Sequence, residues 1–276
     1  MINKIILFGS TGMLGRYIYT YFKRYTDINI LNINFRINND SIYNLEEILK
    51  QHNIDERTCI INCIGVIPQR IDTTPNNYNE YLLINSLLPV LLSMYSKKYK
   101  SKMIQPTTDC VYNGENGLYD EEAEADNKDI YGISKYLGER CEATIIRTSI
   151  IGFEIKNKKS FIEWIISNNK KTINGWNNHL WNGITCLEYC NIIKQIIDND
   201  LFWTGIRHIM SPNYKSKYEI INIIKEEMNL DIEVIESQTD KKIDRRLKTI
   251  HSSFIESLNI KPIEKQIKDL INFNID

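Results

Sequence analysis

IILFGSTGMLGRYIYTYF, residues 5–22, decides the fold of this 276-residue chain. Ile5, Ile6, Leu7 and Phe8 form a continuous apolar run, the pattern of a strand buried on both faces of a parallel sheet. The run stops at Gly9. Beyond it Met13, Leu14, Tyr17, Ile18, Tyr21 and Phe22 recur at the spacing of one helix face. Glycines in the turn between the two let the backbone approach a pyrophosphate, whose charge is favoured at a helix N-terminus where the amides are unpaired. The spacing is G-x-x-G-x-x-G rather than G-x-G-x-x-G, and tight turns also use glycine for steric reasons. It is the strand before and the helix after that point to a dinucleotide, with Gly9, Thr11, Gly12, Met13, Leu14 and Gly15 as its expected contacts.

Further along, the same alternation of elements repeats. Residues 28–35 alternate Ile and Asn and read as a second strand, with Arg36 immediately after it. At that place an acid bonds the free ribose hydroxyl of NAD, whereas an arginine suits the phosphate of NADP. No acid stands there, so NADP is favoured; a solvated surface arginine is the other reading. Ser41 is placed to cap a helix with Ile42, Leu45, Ile48 and Leu49 on one face. Thr58 begins another buried strand, and Cys63, Ile64 and Gly65 at its end belong beside the cofactor, at the carboxyl edge where such sheets bind ligands. Residues 78–98 are helical in pattern but contain Asn85 and Pro89, which predicts a kink or restart near the proline. Strands follow at 102–108 and 144–148. The whole is an α/β chain with a Rossmann-type doubly wound parallel sheet over residues 1–150. Residues 151–276 form a smaller C-terminal α/β part expected to bind substrate.

Composition narrows the partners. A formal charge of -1 gives no bulk attraction to nucleic acid or to an anionic membrane. No apolar run reaches the ~18 to 20 residues that span a bilayer, and the N-terminus is too short and glycine-interrupted for a signal peptide, so a cytoplasmic location is expected. The six cysteines include no C-x-x-C pair and are expected as free thiols, with no metal site.

The chemistry is expected in residues 103–139. A strand ends in Thr107-Thr108-Asp109-Cys110, an acidic loop follows, and Tyr131-Gly-Ile-Ser-Lys135 lies on a helix-like segment. Tyr and Lys four apart share a helix face, and the lysine charge favours ionisation of the phenol. Tyr-x-x-x-Lys is common in a chain with 16 tyrosines; Tyr19 and Lys23 fit it too. Position separates Tyr131 and Lys135, which fall between a hydroxyl-bearing strand and the strand Thr144–Thr148. In the C-terminal part, residues 175–183 read as a loop whose Trp176, Asn177 and Trp181 suit stacking and hydrogen bonding to a base or sugar, or serve as packing anchors. Residues 241–246 are a basic cluster, read as a solvated face, with a diphosphate contact by Arg245 or Arg246 as the alternative.

Residues 1–150 resemble the extended short-chain dehydrogenase/reductase superfamily, in its dTDP-4-dehydrorhamnose reductase-like branch. The matching motifs are FGSTGMLGR at 8–16, INCIG at 61–65, NSLLP at 85–89, TTDCVYNG at 107–114, YGISKYLGE at 131–139 and IRTSIIG at 146–152. The C-terminal part resembles it more loosely, through WNGITCLE at 181–188 and SPNYKSKYEI at 211–220. The resemblance implies that Thr108 orients a sugar carbonyl, Tyr131 donates the proton, and Lys135 lowers the pKa of Tyr131 while holding the nicotinamide ribose, supported by Asn85. Asp109, Cys110 and Arg147 join the expected substrate contacts.

Cys110 departs from the branch's usual aromatic residue and from the glutamate of nucleotide-sugar 4,6-dehydratases, which argues against dehydration. GDP-fucose synthases carry a cysteine at this place and use it with a histidine to epimerise carbons beside the ketone; His179 is the matching candidate here. Inversion needs a base and an acid on opposite faces of the carbon, and Cys and His titrate nearer neutrality than most side chains. The expected function is therefore NADPH-dependent reduction of a nucleotide-linked 4-keto-6-deoxyhexose, UDP-linked and 2-acetamido by analogy, with prior inversion at carbon 3 as an added step. NAD as cofactor and a homodimer stay open. So do a nucleotide-sugar 4-epimerase with bound NAD and a non-catalytic NADP-binding regulatory subunit, as in methionine adenosyltransferase.

Overall fold

The structure, a computed structural model, describes residues 1–155 and 158–275. Strands β1 (Lys4–Phe8), β2 (Asn29–Ile33), β3 (Thr58–Asn62), β4 (Lys102–Thr108) and β5 (Thr144–Thr148) alternate with helices α1 (Met13–Tyr25), α2 (Leu45–Gln51), α3 (Tyr78–Leu82), α4 (Leu88–Lys98) and α5 (Ile130–Gly138). The second half adds β6 (Ile150–Ile151), α6 (Phe161–Ser167), β7 (Thr172–Trp176), β8 (His179–Trp181), β9 (Ile184–Thr185), α7 (Cys186–Asp198), β10 (Gly205–His208), β11 (Lys215–Ser216), α8 (Lys217–Glu227), β12 (Glu233–Ser237), β13 (Ile243–Asp244), α9 (Ser252–Ser257) and α10 (Ile263–Ile271).

The main sheet has six parallel strands in the order β2-β1-β3-β4-β5-β10. The two-residue period of a strand divides its side chains between two cores. Ile5, Leu7, Cys59, Ile61, Ile104 and Ile146 face α1, α7 and α10. Ile6, Phe8, Ile60, Met103 and Ile145 face α2 and α4 through Leu45, Leu49, Leu88 and Leu92. From β1 the chain goes to β2 on one side and then to β3 on the other, so a crevice opens at the carboxyl ends of β1 and β3.

Several local expectations are corrected. Strand β2 ends at Ile33, three residues before Arg36. Ser41 does not cap α2: it starts a 3-10 turn, and its hydroxyl donates to the Arg36 carbonyl (2.9 Å) while accepting from the Asn38 amide (2.9 Å). At Pro89 the helix restarts, as the sequence leads one to expect. A π-helical turn, Leu83–Leu87, precedes it and leaves the proline in the first turn of α4, where its missing N–H costs nothing. Residues 175–183 are the ends of strands rather than a loop, because β12 pairs with β7, while β11 and β13 flank β8. From the second half of the chain β10 pairs with β5, and α7 and α10 supply the apolar cover for α1's side of the sheet. Among the described residues no helix is long and apolar enough to cross a membrane.

Candidate active site

A cleft of about 520 Å³ opens at the carboxyl ends of the central strands, and residues far apart in sequence converge on it: Gly12 to Leu14, Asn62 to Gly65, Thr107, Thr108, Cys110, Tyr131, Lys135 and Arg245. Its cofactor side is shaped by what the glycine turn leaves out. Gly9 has φ +80°, and a Cβ there would stand 2.7 Å from the Cys63 carbonyl carbon. A Cβ on Gly15 would stand 2.2 Å from the Gly9 carbonyl oxygen. Both glycines let α1 and the end of β3 close directly onto the turn. No side chain caps α1 at Gly12 and no acid lies in its first turn, so its leading amides face the cleft side without a side-chain acceptor. That arrangement fits the pyrophosphate of a dinucleotide. Arg36 is exposed beyond β2.

The reacting end is assembled by short-range caps. Thr108 terminates β4 and caps a 3-10 turn, Asp109–Val111; its Oγ1 accepts from the Cys110 amide (3.1 Å) and donates to Asp109 Oδ1 (3.2 Å). Asp109 is buried, and burial raises its carboxyl pKa against the opposing pull of Arg245. Asp129 caps α5 by accepting from the Gly132 amide (2.6 Å), and Asn127 ties that cap to the Cys110 carbonyl (2.8 Å). These bonds fix the first turn of α5 over the end of β4. Tyr131 and Thr108 therefore line the same cleft. Burial holds the Tyr131 phenol well above its ordinary pKa, with Cys110 adding to the rise and Thr108 opposing it.

Lys135, one turn on, is brought down to about 8 by burial, against an upward pull from Glu139, Cys63 and Cys110. Its Nζ lies against Gly65, where a Cβ would be 2.7 Å away. Asn85, on the π-helical turn, accepts from the Val66 amide (2.9 Å) and donates to the Val66 carbonyl (3.0 Å) and Ser134 Oγ (3.1 Å). It joins the loop after β3 to α5 and so fixes the wall beside Lys135.

On the substrate side, Cys110 Sγ lies 3.6 Å from Asp109 Oδ1 and 3.7 Å from Arg245 Nη1. Burial pushes its thiol up to about 12. Arg245 was read as part of a solvated cluster; instead its Nε donates to the Tyr112 carbonyl (3.0 Å) and its head lines the cleft. Arg246 turns away, paired with Asp244 (2.7 Å) and stacked on Tyr214. Both follow β13 directly, and their side chains leave the chain toward different partners.

Other expected contacts fall elsewhere. His179 lies outside the residues that line the cleft, with its Nε2 2.8 Å from Thr239 Oγ1 and its ring 4.6 Å from that of Trp176. Its pKa is lowered by burial, then by Lys217 and Arg245. Trp176 is half-exposed with Lys217 Nζ 5.1 Å above its ring, so it lies near this side. Trp181 is a packing anchor for the main core, and Asn177 donates to Glu236 (2.7 Å). Arg147 is not among the residues that line the cleft. It is 2% exposed, and its Nε, Nη2 and Nη1 are taken by Glu139 Oε1 (2.9 Å), Glu139 Oε2 (2.5 Å) and the Tyr112 hydroxyl (2.6 Å).

Sequence reasoning also passed over Lys217, Lys159, Phe161 and Glu139. A capping-box pattern, Ser216 with Glu219, places Lys217 at the start of α8 but gives no sign that its ammonium lies over the Phe161 and Trp176 rings. Among the described residues no group of acids, thiols and imidazoles could hold a metal ion.

The sequence profile of the family described as RmlD substrate binding domain matches residues 3–267. The chain belongs to this family. No curated protein sequence matches it significantly. Among solved structures it is similar to a dTDP-4-dehydrorhamnose reductase of Bacillus anthracis in complex with NADP, at 20% identity and TM-score 0.80 over 99% of both chains. It is similar also to a dTDP-4-dehydrorhamnose reductase of Yersinia enterocolitica, at 19% identity and TM-score 0.80 over 98% of this chain and 99% of that one. A dTDP-glucose 4,6-dehydratase of Bacillus anthracis in complex with NAD follows at 17% identity and TM-score 0.71, over 98% and 95%. At these identities the likeness is one of fold.

Proposed function

We propose that the chain is an NADPH-dependent reductase of the 4-keto group of a nucleotide-activated 4-keto-6-deoxyhexose. The observation that carries this reading is the convergence of Thr108, Tyr131 and Lys135 on one cleft, next to an uncapped glycine turn. Family membership and the NADP bound in the Bacillus anthracis reductase support the cofactor, as does the lack of an acid at the tip of β2. When bound, NADPH supplies a hydride to carbon 4. This chain's own residues manage the proton. Thr108 and Tyr131 line the same cleft, and Tyr131 gives its proton to the carbonyl oxygen as charge develops there. A buried phenol keeps its proton until a strong acceptor forms, so proton delivery stays linked to reduction. Lys135 stabilises the phenolate left behind.

The finer assignment is a UDP-linked, 2-acetamido substrate handled in the cytoplasm. Cys110, inside the cleft, is the base for inversion at carbon 3, with His179 as its acid. The neighbour that favours a Cys110 thiolate is Arg245 at 3.7 Å, and His179 approaches from β8 outside the cleft lining, so the acid must reach the sugar from the far side.

The test is incubation of the purified chain with NADPH and a panel of UDP- and dTDP-linked 4-keto-6-deoxysugars in deuterated water. NADPH oxidation with at least one member is expected. No oxidation with any of them would count decisively against the reductase. Deuterium at carbon 3 that persists in Cys110→Ala would sink the inversion role of that residue.

A further inference from the structure

Beside the glycine turn an ion pair joins the two walls of the cleft. Arg70 lies in the loop after β3, in a turn where the Arg70 and Ile71 amides donate to the Ile67 carbonyl (3.0 and 3.2 Å). Glu154 follows β6. Arg70 Nη2 donates to Glu154 Oε1 (3.0 Å), and Glu154 Oε2 accepts from the Lys159 amide (2.8 Å). Lys159 Nζ in turn donates to the Gln69 carbonyl (3.1 Å), a second tie between the same walls. The Glu154 side chain is 6% exposed and that of Arg70 35%. The carboxylate is thus fixed from two sides, while the guanidinium that faces it stays open to the cleft.

Arg70 and Glu154 both line the cleft, and both also line a small recess shared with Thr11, Gly12 and Met13 at the start of α1. No side chain caps that helix, so its leading amides draw an anion. A dinucleotide brings its diphosphate to this turn. There a carboxylate repels it, and a guanidinium offers it two parallel donors. The two halves of the ion pair therefore act on the cofactor with opposite sign. Bracing alone would be served by a neutral pair, without a negative charge at an anion site.

We propose that Arg70 is a binding residue for the cofactor diphosphate and that Glu154 competes with the diphosphate for it. On binding, Arg70 exchanges the Glu154 carboxylate for a phosphate oxygen, and Glu154 keeps the Lys159 amide. Part of the site's affinity is held back by that exchange. This rests on the dinucleotide reading of the glycine turn and concerns binding alone, so neither sugar nor turnover enters its test.

The experiment is a fluorescence titration with NADPH, and a calorimetric one with ADP, which carries a diphosphate without the nicotinamide. Glu154→Gln keeps an acceptor for the Lys159 amide and loses the charge. Both probes should bind it about fivefold more tightly, the size of one screened like charge removed. Arg70→Met should weaken both by about tenfold, and Arg70→Lys, which keeps the charge but not the fork, by less. Glu154→Asp, which draws the carboxylate back from Arg70 by one methylene, covers the case in which Glu154→Gln does not fold; it too should tighten binding. If the pair only braces the walls, the Glu154 and Arg70 variants all loosen the site and weaken binding. That result, or an affinity unchanged in Arg70→Met or in the folded Glu154 variant, overturns the inference. A wild type that binds neither probe overturns the cofactor reading as well, whereas wrong signs in a protein that binds them overturn this inference alone.

Discussion

Acidifying the protein from pH 7 to pH 5 should cost about 2 kcal/mol of folding stability through one side chain, His208. His208 is fully buried on β10. Its Nε2 lies 3.1 Å from Arg147 Nη1, which can only donate, so Nε2 accepts. Its Nδ1 then carries the proton and donates to the carbonyls of Lys248 (2.8 Å) and Tyr119 (3.1 Å). Both ring nitrogens are satisfied in the neutral form, and a second proton would face Arg147 in a buried setting. Burial, then Arg147, bring the His208 pKa down to about 4, against Glu121. The unfolded chain has a histidine pKa of about 6.5 and takes up the proton first as pH falls. Stability is therefore complete above pH 6.5, falls through the window from 6.5 to 4, and loses about 3 kcal/mol in all.

The assay is urea denaturation of wild type and His208→Gln at pH 7, 6 and 5. Glutamine keeps an acceptor for Arg147 but does not titrate. Wild type should lose about 2 kcal/mol more than the variant between pH 7 and 5. Parallel curves for the two proteins would show that His208 is not held neutral, and the tautomer argued above would be wrong.

Gly15→Ala should weaken NADPH binding at least about tenfold by fluorescence titration, since its Cβ would meet the backbone of Gly9 rather than a side chain that can swing away. Gly65→Ala should leave folding intact but slow turnover, because the displaced group is the flexible end of Lys135; an unaltered rate would show that the Lys135 position is not critical. Arg147→Met should destabilise by about 3 to 5 kcal/mol in urea, by leaving Glu139 buried and unpaired, while barely changing KM in what folds; a selective rise in KM would restore Arg147 to the substrate side. Tyr131→Phe should lose turnover by at least about 100-fold with cofactor affinity unchanged, and near-normal turnover would refute its role as proton donor.

The parallel sheet, the glycine turn and the order of elements were legible in the sequence because each is local: buried runs, one-face helices and glycines that adjoin them. So was the grouping of Thr108, Tyr131 and Lys135, since a strand end and a helix start joined by one loop must meet at the carboxyl edge. The sequence by itself could not say which way a charged side chain turns. Arg245 and Arg246 are adjacent and identical in type, yet just past β13 one enters the cleft beside Cys110 and the other pairs with Asp244. Arg147, at the carboxyl end of a strand, had the address of a ligand contact. Only tertiary packing decided otherwise, because Glu139, Tyr112 and His208 arrive from α5, the turn after β4 and β10 to take its donors. A buried guanidinium needs partners from several elements at once, and no pattern along the chain records where they meet.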